Sequence, residues 1–295
     1  MSGVTASDVE YVRQLVHRRA GLVVEPGKDY LVESRLAPIA RSEGLPDVPA
    51  LIARVRFHAD GPLHERILDA MTTNETSWFR DSHPFEALRS TLLPELIGRR
   101  AATRRLTIWS AACSTGQEPY SLAMLILDSF PELASWHIEI LASDISHEAV
   151  GRARSGRYSQ LEVQRGLDQA ALGAHFTKEG SDWVVSDRIR RMVRFGVINL
   201  VGAWDQVPVA DIVMLRNVMI YFDHATKTKV LGRMRNQVRA DGYLFLGNAE
   251  TTLNVDEGFV RVPPPRSGCY QRRPVALHPD LTPLPLAHQP QGRTA

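Results

Sequence analysis

Between Thr5 and about Arg100, apolar residues recur at spacings of three and four, as expected for helices that bury one face. Val9, Val12, Leu15 and Val16 form the first such stripe, with Thr5 or Ser7 able to cap its start and Gly21 its end. Further helices are predicted through Leu31, Leu36 and Ile39 to Gly44, from Leu51 to Phe57, and from Pro62 through Ile67 to Met71. Proline suits that first turn. Phe85, Leu88, Leu92 and Leu96 mark a fifth helix, whose regularity Pro94 limits. After Arg105 the period changes. Apolar runs (LTIWSAA, HIEILASD, RFGVINL, ADIVMLRNV, GYLFLGN) alternate with helical segments from Glu118, around His147–Ala153 and from His224 to about Arg239. Such alternation predicts an α/β fold with a doubly wound, mostly parallel sheet buried on both faces.

The expected organisation is an all-α domain over residues 1–80, a linker helix region over 81–105 and the sheet domain over 106–273. Residues 155–195 break the alternation as an inserted small subdomain with a β hairpin, in which DWVV and RMVRF flank turn-rich residues. Residues 274–295 hold five prolines and little apolar periodicity, so a disordered tail is predicted.

Composition narrows the function classes. The 295 residues are 44% hydrophobic and 23% charged, which excludes collagen-like, coiled-coil and largely disordered chains. With 35 basic against 33 acidic residues, the chain lacks the basic surplus of a nucleic-acid wrapper. Two cysteines, Cys113 and Cys269, suit a reducing compartment, and no HExxH or CxxC points to a metal. Neither a signal peptide nor a run of about 18 apolar residues is visible, so a cytoplasmic chain without membrane insertion is expected.

Candidate chemistry sits where strands end. The first strand runs into Ala112-Cys113-Ser114-Thr115-Gly116, a turn of small residues that lets a ligand approach the backbone but lacks GxGxxG. It is also what a tight βα turn requires. Glu118, near the following helix start, can complement the helix dipole or hold an ammonium group. Asp144 ends the second strand 28 residues after Gly116, where a carboxylate can accept from two ribose hydroxyls or cap the next helix. Together these residues suggest a nucleoside ligand. The segment Met71–Asp81 is polar on one side and aromatic on the other, and Arg80 is its strong bidentate donor.

TTNETSWFRD, SAACSTGQEPYSLAM, ASDISHEAVGRARSG, INL, LRNVMIYFD and LFLGNAE occur in this order, and by them the chain resembles, over roughly residues 5–272, chemoreceptor glutamate methyltransferases of the CheR family. That resemblance implies a Rossmann-like methyltransferase sheet, S-adenosylmethionine as methyl donor and S-adenosylhomocysteine as product, with no metal. It also implies a monomer whose partners are the cytoplasmic helices of methyl-accepting chemoreceptors, on which glutamates become methyl esters. By match to the family motifs, Asn74, Thr76 and Arg80 line the cofactor and substrate cleft. Glu118 contacts the methionine moiety, Asp144 the ribose, and Asn199 and Leu200 the adenine. Arg216 and Asn217 lie beside the cofactor and Tyr221 near the transferred methyl, so Arg80 and Tyr221 are the expected catalytic pair. Departures are small: Cys113 occupies a small-residue position, and Asn248-Ala249 replaces a frequent His-Ser pair. The N-terminal helices, with Arg35, Arg41, Arg54 and Arg56, form the region where such enzymes meet acidic receptor helices. By composition alone these arginines read as a solvated helix face.

Overall fold

The computed structural model describes residues 3–57, 61–263 and 268–274. The tail expected at 274–295 lies, Pro274 apart, outside the described residues. Four helices come first: α1 (Ala6–Ala20), α2 (Tyr30–Ser42), α3 (Val48–Arg56) and α4 (Pro62–Met71). Thr5 caps α1 in a reciprocal capping box with Asp8, and Gly21 ends it at φ +69°. Val12, Val16, Leu36, Leu51, Ile52 and Ile67 close a core of their own.

The predicted fifth helix is built in three pieces, α5 (His83–Ala87), a π turn (Leu88–Leu92) and α6 (Leu93–Arg100). Pro94 has no N–H to give to the carbonyl four residues back and its ring crowds that position, so the helix passes it by widening. Trp78, Phe85, Leu88, Leu92 and Leu96 pack into the same core as Leu122 and Ile140. The change of core therefore falls between Met71 and Trp78, ahead of the expected boundary, and the presumed linker helices form a covering layer of the second core.

That core surrounds a seven-stranded sheet. Its members are β1 (Arg105–Ala111), followed by α7 (Gln117–Ser129), and β2 (His137–Asp144), followed by α8 (His147–Ser155). The chain then forms an insertion of β3 (Arg157–Ser159), α9 (Gln160–Val163), α10 (Gln169–His175), β4 (Phe176–Glu179), β5 (Asp182–Val185) and α11 (Asp187–Arg190). It returns to the sheet with β6 (Val193–Val197), β7 (Ala210–Leu215), α12 (His224–Gln237), β8 (Val238–Leu246), β9 (Phe259–Arg261) and β10 (Cys269–Arg272). The order is β6-β2-β1-β7-β8-β10-β9, parallel from β6 to β8, with β10 antiparallel to both β8 and β9. Burial follows the period of two. Ile108, Ile140, Ile212 and Phe245 face the α5–α7 layer, whereas Trp109, Leu141, Val213 and Leu244 face α12.

The hairpin differs from expectation. DWVV forms β5, but its partner is β4 across a two-residue Gly180-Ser181 turn, and RMVRF instead supplies β6 of the main sheet. A single helical turn at Asp187–Arg190 separates them, and Val193 and Phe195 pair in register with Ile140 and Ala142, extending the large sheet. The short β9 and β10 were not predicted at all.

Two contacts tie the segment between the cores in place. Trp78 donates its ring N–H to the Glu162 carbonyl at 3.0 Å and stacks edge-on with Tyr158 and Phe176. Arg35 is turned inward rather than solvated. It donates to the carbonyls of Met71 (2.8 Å) and Thr72 (3.0 Å) and to Thr73 Oγ1 (3.1 Å), ending α4 and fixing the strand-like segment that follows.

Trp78→Ala should cost about 3–5 kcal/mol, as for other large aromatic truncations in a packed core. A urea midpoint unchanged within error would contradict that packing role. Arg35→Ala should cost about 1–3 kcal/mol by leaving carbonyl acceptors unpaired. If Arg35 acted only as a receptor-facing charge, thermal unfolding of the free protein would not shift.

Candidate active site

The C-terminal ends of β1, β2 and β7 converge on a cleft whose opposite wall is the 72–76 segment and the end of α1. Strand ends of an open parallel sheet leave such a crevice where the strand order reverses, here at β1. The β1–α7 turn that floors the cleft is sharply bent, with Ala112, Ser114 and Gly116 all at positive φ. At Gly116 (φ +96°), an added Cβ would lie 2.9 Å from the Ala153 Cβ and 3.0 Å from the Tyr158 hydroxyl. Glycine is needed there for helix packing, so part of the small-residue turn serves the fold.

Asp144 is buried at the end of β2, and both its oxygens are engaged. Oδ2 accepts from the Ser114 N–H at 2.8 Å and Oδ1 from the Ser146 N–H at 3.0 Å. Burial pushes its carboxyl above the usual range, opposed by those backbone donors. The Ile145 N–H acts on the same carboxylate, whose two oxygens offer about four acceptor sites, so acceptor capacity remains for a further donor. The same turn holds Cys113, whose thiol burial and the charges of Asp144 and Glu118 push well up, leaving it protonated and a poor nucleophile.

A buried ion cluster forms the second half of the site. Arg216, 2% exposed at the end of β7, donates through Nη1 to Glu118 Oε2 at 2.9 Å. Through Nη2 it reaches Asp81 Oδ2 at 2.7 Å and the Arg80 carbonyl at 2.9 Å. Its Nε is buried with no hydrogen-bond partner among the described residues. Glu118 Oε1 also accepts from Ser110 Oγ at 2.8 Å. The Arg80 guanidinium itself lines the cleft, and among the described residues its one hydrogen bond goes to the Glu75 carbonyl at 3.0 Å. Among the described residues no carboxylate forms an ion pair with it.

Asn74, Thr76, Leu200, Asn217 and Tyr221 also line the cleft. The Asn74 carbonyl accepts from Ser114 Oγ at 2.8 Å, tying the segment between the cores to the β1–α7 turn. Asn217 stands at φ +57°, a left-handed turn that asparagine tolerates. Tyr221 ends a 3₁₀ turn, Met219–Tyr221, and its carbonyl accepts from Val23 N–H at 2.8 Å, so the loop after α1 packs directly beside it. Its hydroxyl has no hydrogen-bond partner among the described residues.

One expected residue stands apart. Asn199 does not line the cleft. Its amide donates to the Arg19 carbonyl at 2.6 Å and accepts from Val201 N–H at 3.0 Å, so the side chain joins α1 to the loop after β6. Ile198 and Leu200 on either side supply the apolar wall instead. Sequence reading also missed Asp81, which neutralises Arg216. Its place beside Arg80 in the motif was the available signal. Among the described residues no cluster of three or more His, Cys, Asp or Glu could hold a metal, and no helix is long and apolar enough to cross a membrane.

The CheR methyltransferase SAM-binding domain matches residues 74–266, and the CheR methyltransferase all-alpha domain matches residues 7–72. Chemotaxis protein methyltransferase 1 of Pseudomonas aeruginosa is 39% identical over 267 residues, covering 89% of this chain and 96% of that one. Chemotaxis protein methyltransferase Cher2 of Pseudomonas putida is 37% identical, covering 86% and 94%, and the Salmonella typhimurium chemotaxis protein methyltransferase is 34% identical, covering 86% and 87%. The two matched domains account for both cores, and the chain belongs to the CheR methyltransferase family.

Proposed function

We propose that this protein transfers the methyl group of S-adenosylmethionine to glutamate side chains on the cytoplasmic helices of chemoreceptors, yielding glutamyl methyl esters and S-adenosylhomocysteine. The observation that carries the reading is the convergence, in one cleft between the two cores, of a strand-end carboxylate, a buried Arg–Glu pair, the Arg80 guanidinium and Tyr221.

The residues fit the cofactor. Asp144 offers its remaining lone pairs to the ribose hydroxyls, and Ile198 and Leu200 offer an apolar wall to the adenine. Glu118 suits an ammonium group. The orphaned N–H of Arg216 Nε gains an acceptor if the methionine carboxylate lies beside it. Asn74, Thr76 and Asn217 close the cleft around this moiety. Asn199 acts at one remove, by holding the loop that carries Leu200.

Bound S-adenosylmethionine supplies an electrophilic methyl on a sulfonium. The acceptor needs no general base, because a glutamate with an ordinary pKa of about 4.3 is already ionised near neutral pH. The protein's task is then alignment of carboxylate oxygen, methyl carbon and sulfur. Arg80 orients the incoming carboxylate, and the Tyr221 hydroxyl positions it or the methyl group.

Asp144→Ala should weaken cofactor binding by about 1–3 kcal/mol, since it removes one acceptor from a pair of hydroxyls. Unchanged affinity in calorimetry would remove Asp144 from the ribose site. Arg80→Ala should abolish most transfer of labelled methyl to receptor fragments, read as base-labile ester, while affinity for the cofactor changes much less. Equal loss of affinity and turnover would make Arg80 a cofactor residue.

A further inference from the structure

The LFLGNAE motif contributes nothing to the lining of the cleft, yet its last residue carries a buried carboxylate with no cation beside it among the described residues. Glu250 is 9% exposed, and among the described residues its side chain is held by backbone amides. Oε2 accepts from Asn217 N–H at 2.8 Å and Gly247 N–H at 2.6 Å, and Oε1 accepts from Ile220 N–H at 3.3 Å. One side chain thus clamps the chain leaving β7 against the chain leaving β8. The fit leaves no slack: a Cβ at Gly247 would meet Asn217 Nδ2 at 2.8 Å and Glu250 Oε2 at 2.8 Å.

The clamped stretch is the one that matters for chemistry. Asn217, Val218 and Tyr221 line the cleft, and the 3₁₀ turn that ends in Tyr221 contains Ile220. The left-handed Asn217 and this turn expose amides to the inside of the bend, where a single carboxylate can collect them with charge-assisted bonds. A neutral acceptor would serve one or two of the amides. Two oxygens on one carbon serve all three.

We infer that Glu250 is a positioning residue, which acts through the Asn217–Tyr221 turn to hold the Tyr221 hydroxyl in place. This rests on the role given to Tyr221 above. In Glu250→Gln the amide nitrogen replaces one acceptor, so either Ile220 N–H or the Asn217–Gly247 pair loses its partner, while volume is kept.

The test is a cycle of Glu250→Gln, Tyr221→Phe and the double variant, with kcat for receptor-fragment methylation and calorimetric affinity for S-adenosylhomocysteine both measured. Glu250→Gln should lower kcat by about 10- to 100-fold, the cost of small misplacement of a reacting group. Affinity for S-adenosylhomocysteine should change by less than about threefold, a shift of under 1 kcal/mol. Adding Tyr221→Phe should then cost little more, because the two residues act as a unit. A wild-type kcat in Glu250→Gln, or effects of the two substitutions that simply multiply, would overturn the inference. Amide hydrogen exchange separates this from failure of the activity itself. Even if the wild-type enzyme methylates no receptor, Glu250→Gln must speed exchange across 217–221 selectively, and unaltered exchange there overturns the clamp.

Discussion

A single buried guanidinium holds the active cleft together. Arg216 leaves the end of β7, pairs with Glu118 at the start of α7 and reaches Asp81 and the Arg80 backbone in the segment between the two cores. Three parts of the chain far apart in sequence meet on one cation. Burying such a charge is tolerable only where carboxylates and carbonyls surround it, since an isolated buried ion costs several kcal/mol. The cluster therefore fixes geometry more than it adds stability. Losing Arg216 would take the shared cation from both Glu118 and Asp81, and beside this cluster Phe79, Asp81 and Ser82 stand at positive φ.

The seam between the cores is made in the same way, from side chains that satisfy helix and loop ends on the opposite side. Asp69 of α4 accepts from the His147 and Glu148 amides that open α8. His17 of α1 pairs at 2.7 Å with Asp223, the residue that caps α12, and Asn199 caps the Arg19 carbonyl. Thr226, through its backbone amide, and then His17 hold the Asp223 carboxyl down at about 2. Helix ends leave unpaired amides and carbonyls, and here each domain supplies the other's caps. Orientation of the two cores is thereby set by hydrogen-bond geometry, and the cleft between them has a defined width.

What the sequence discloses follows from the range of each interaction. The helices of the first core and the strands β1, β2 and β7 are legible because burial imposes a period of 3.6 or a continuous apolar run on them. Asp144, Glu118, Arg216 and Tyr221 are found at strand ends or in linked motifs, and all four reach the cleft. Long-range pairing is harder to read. RMVRF looks like half of a hairpin, because nothing local says that Val193 will register with Ile140 some fifty residues earlier. Arg35 reads as a surface charge until the α4 carbonyls it caps are in view. Asn199 carries the motif's polar group, but its partner is the Arg19 carbonyl, 180 residues away. Glu250 is hidden for the same reason, since its partners are backbone amides of a distant turn.

The charges in the cleft constrain how the proposed transfer can be helped. Moving a methyl group from a sulfonium to a carboxylate cancels one positive and one negative charge, so the transition state is less charged than the reactants. A cation gripping the acceptor carboxylate tightly would stabilise the reactants more than the transition state and slow transfer. The arrangement of the two arginines answers this requirement. Arg216 gives both terminal nitrogens to Glu118, Asp81 and the Arg80 carbonyl and is too buried to follow a substrate. Arg80 is half-buried and restrained by one carbonyl, so in the proposed role it would orient a carboxylate with part of its donor set while the Tyr221 hydroxyl shared the contact. On the proposed roles, dividing orientation between a loosely held arginine and a hydroxyl would keep the grip directional without making it strong. The rigidity this demands has to come from behind the contact groups, in the carboxylates that hold Arg216 and the turn bearing Tyr221.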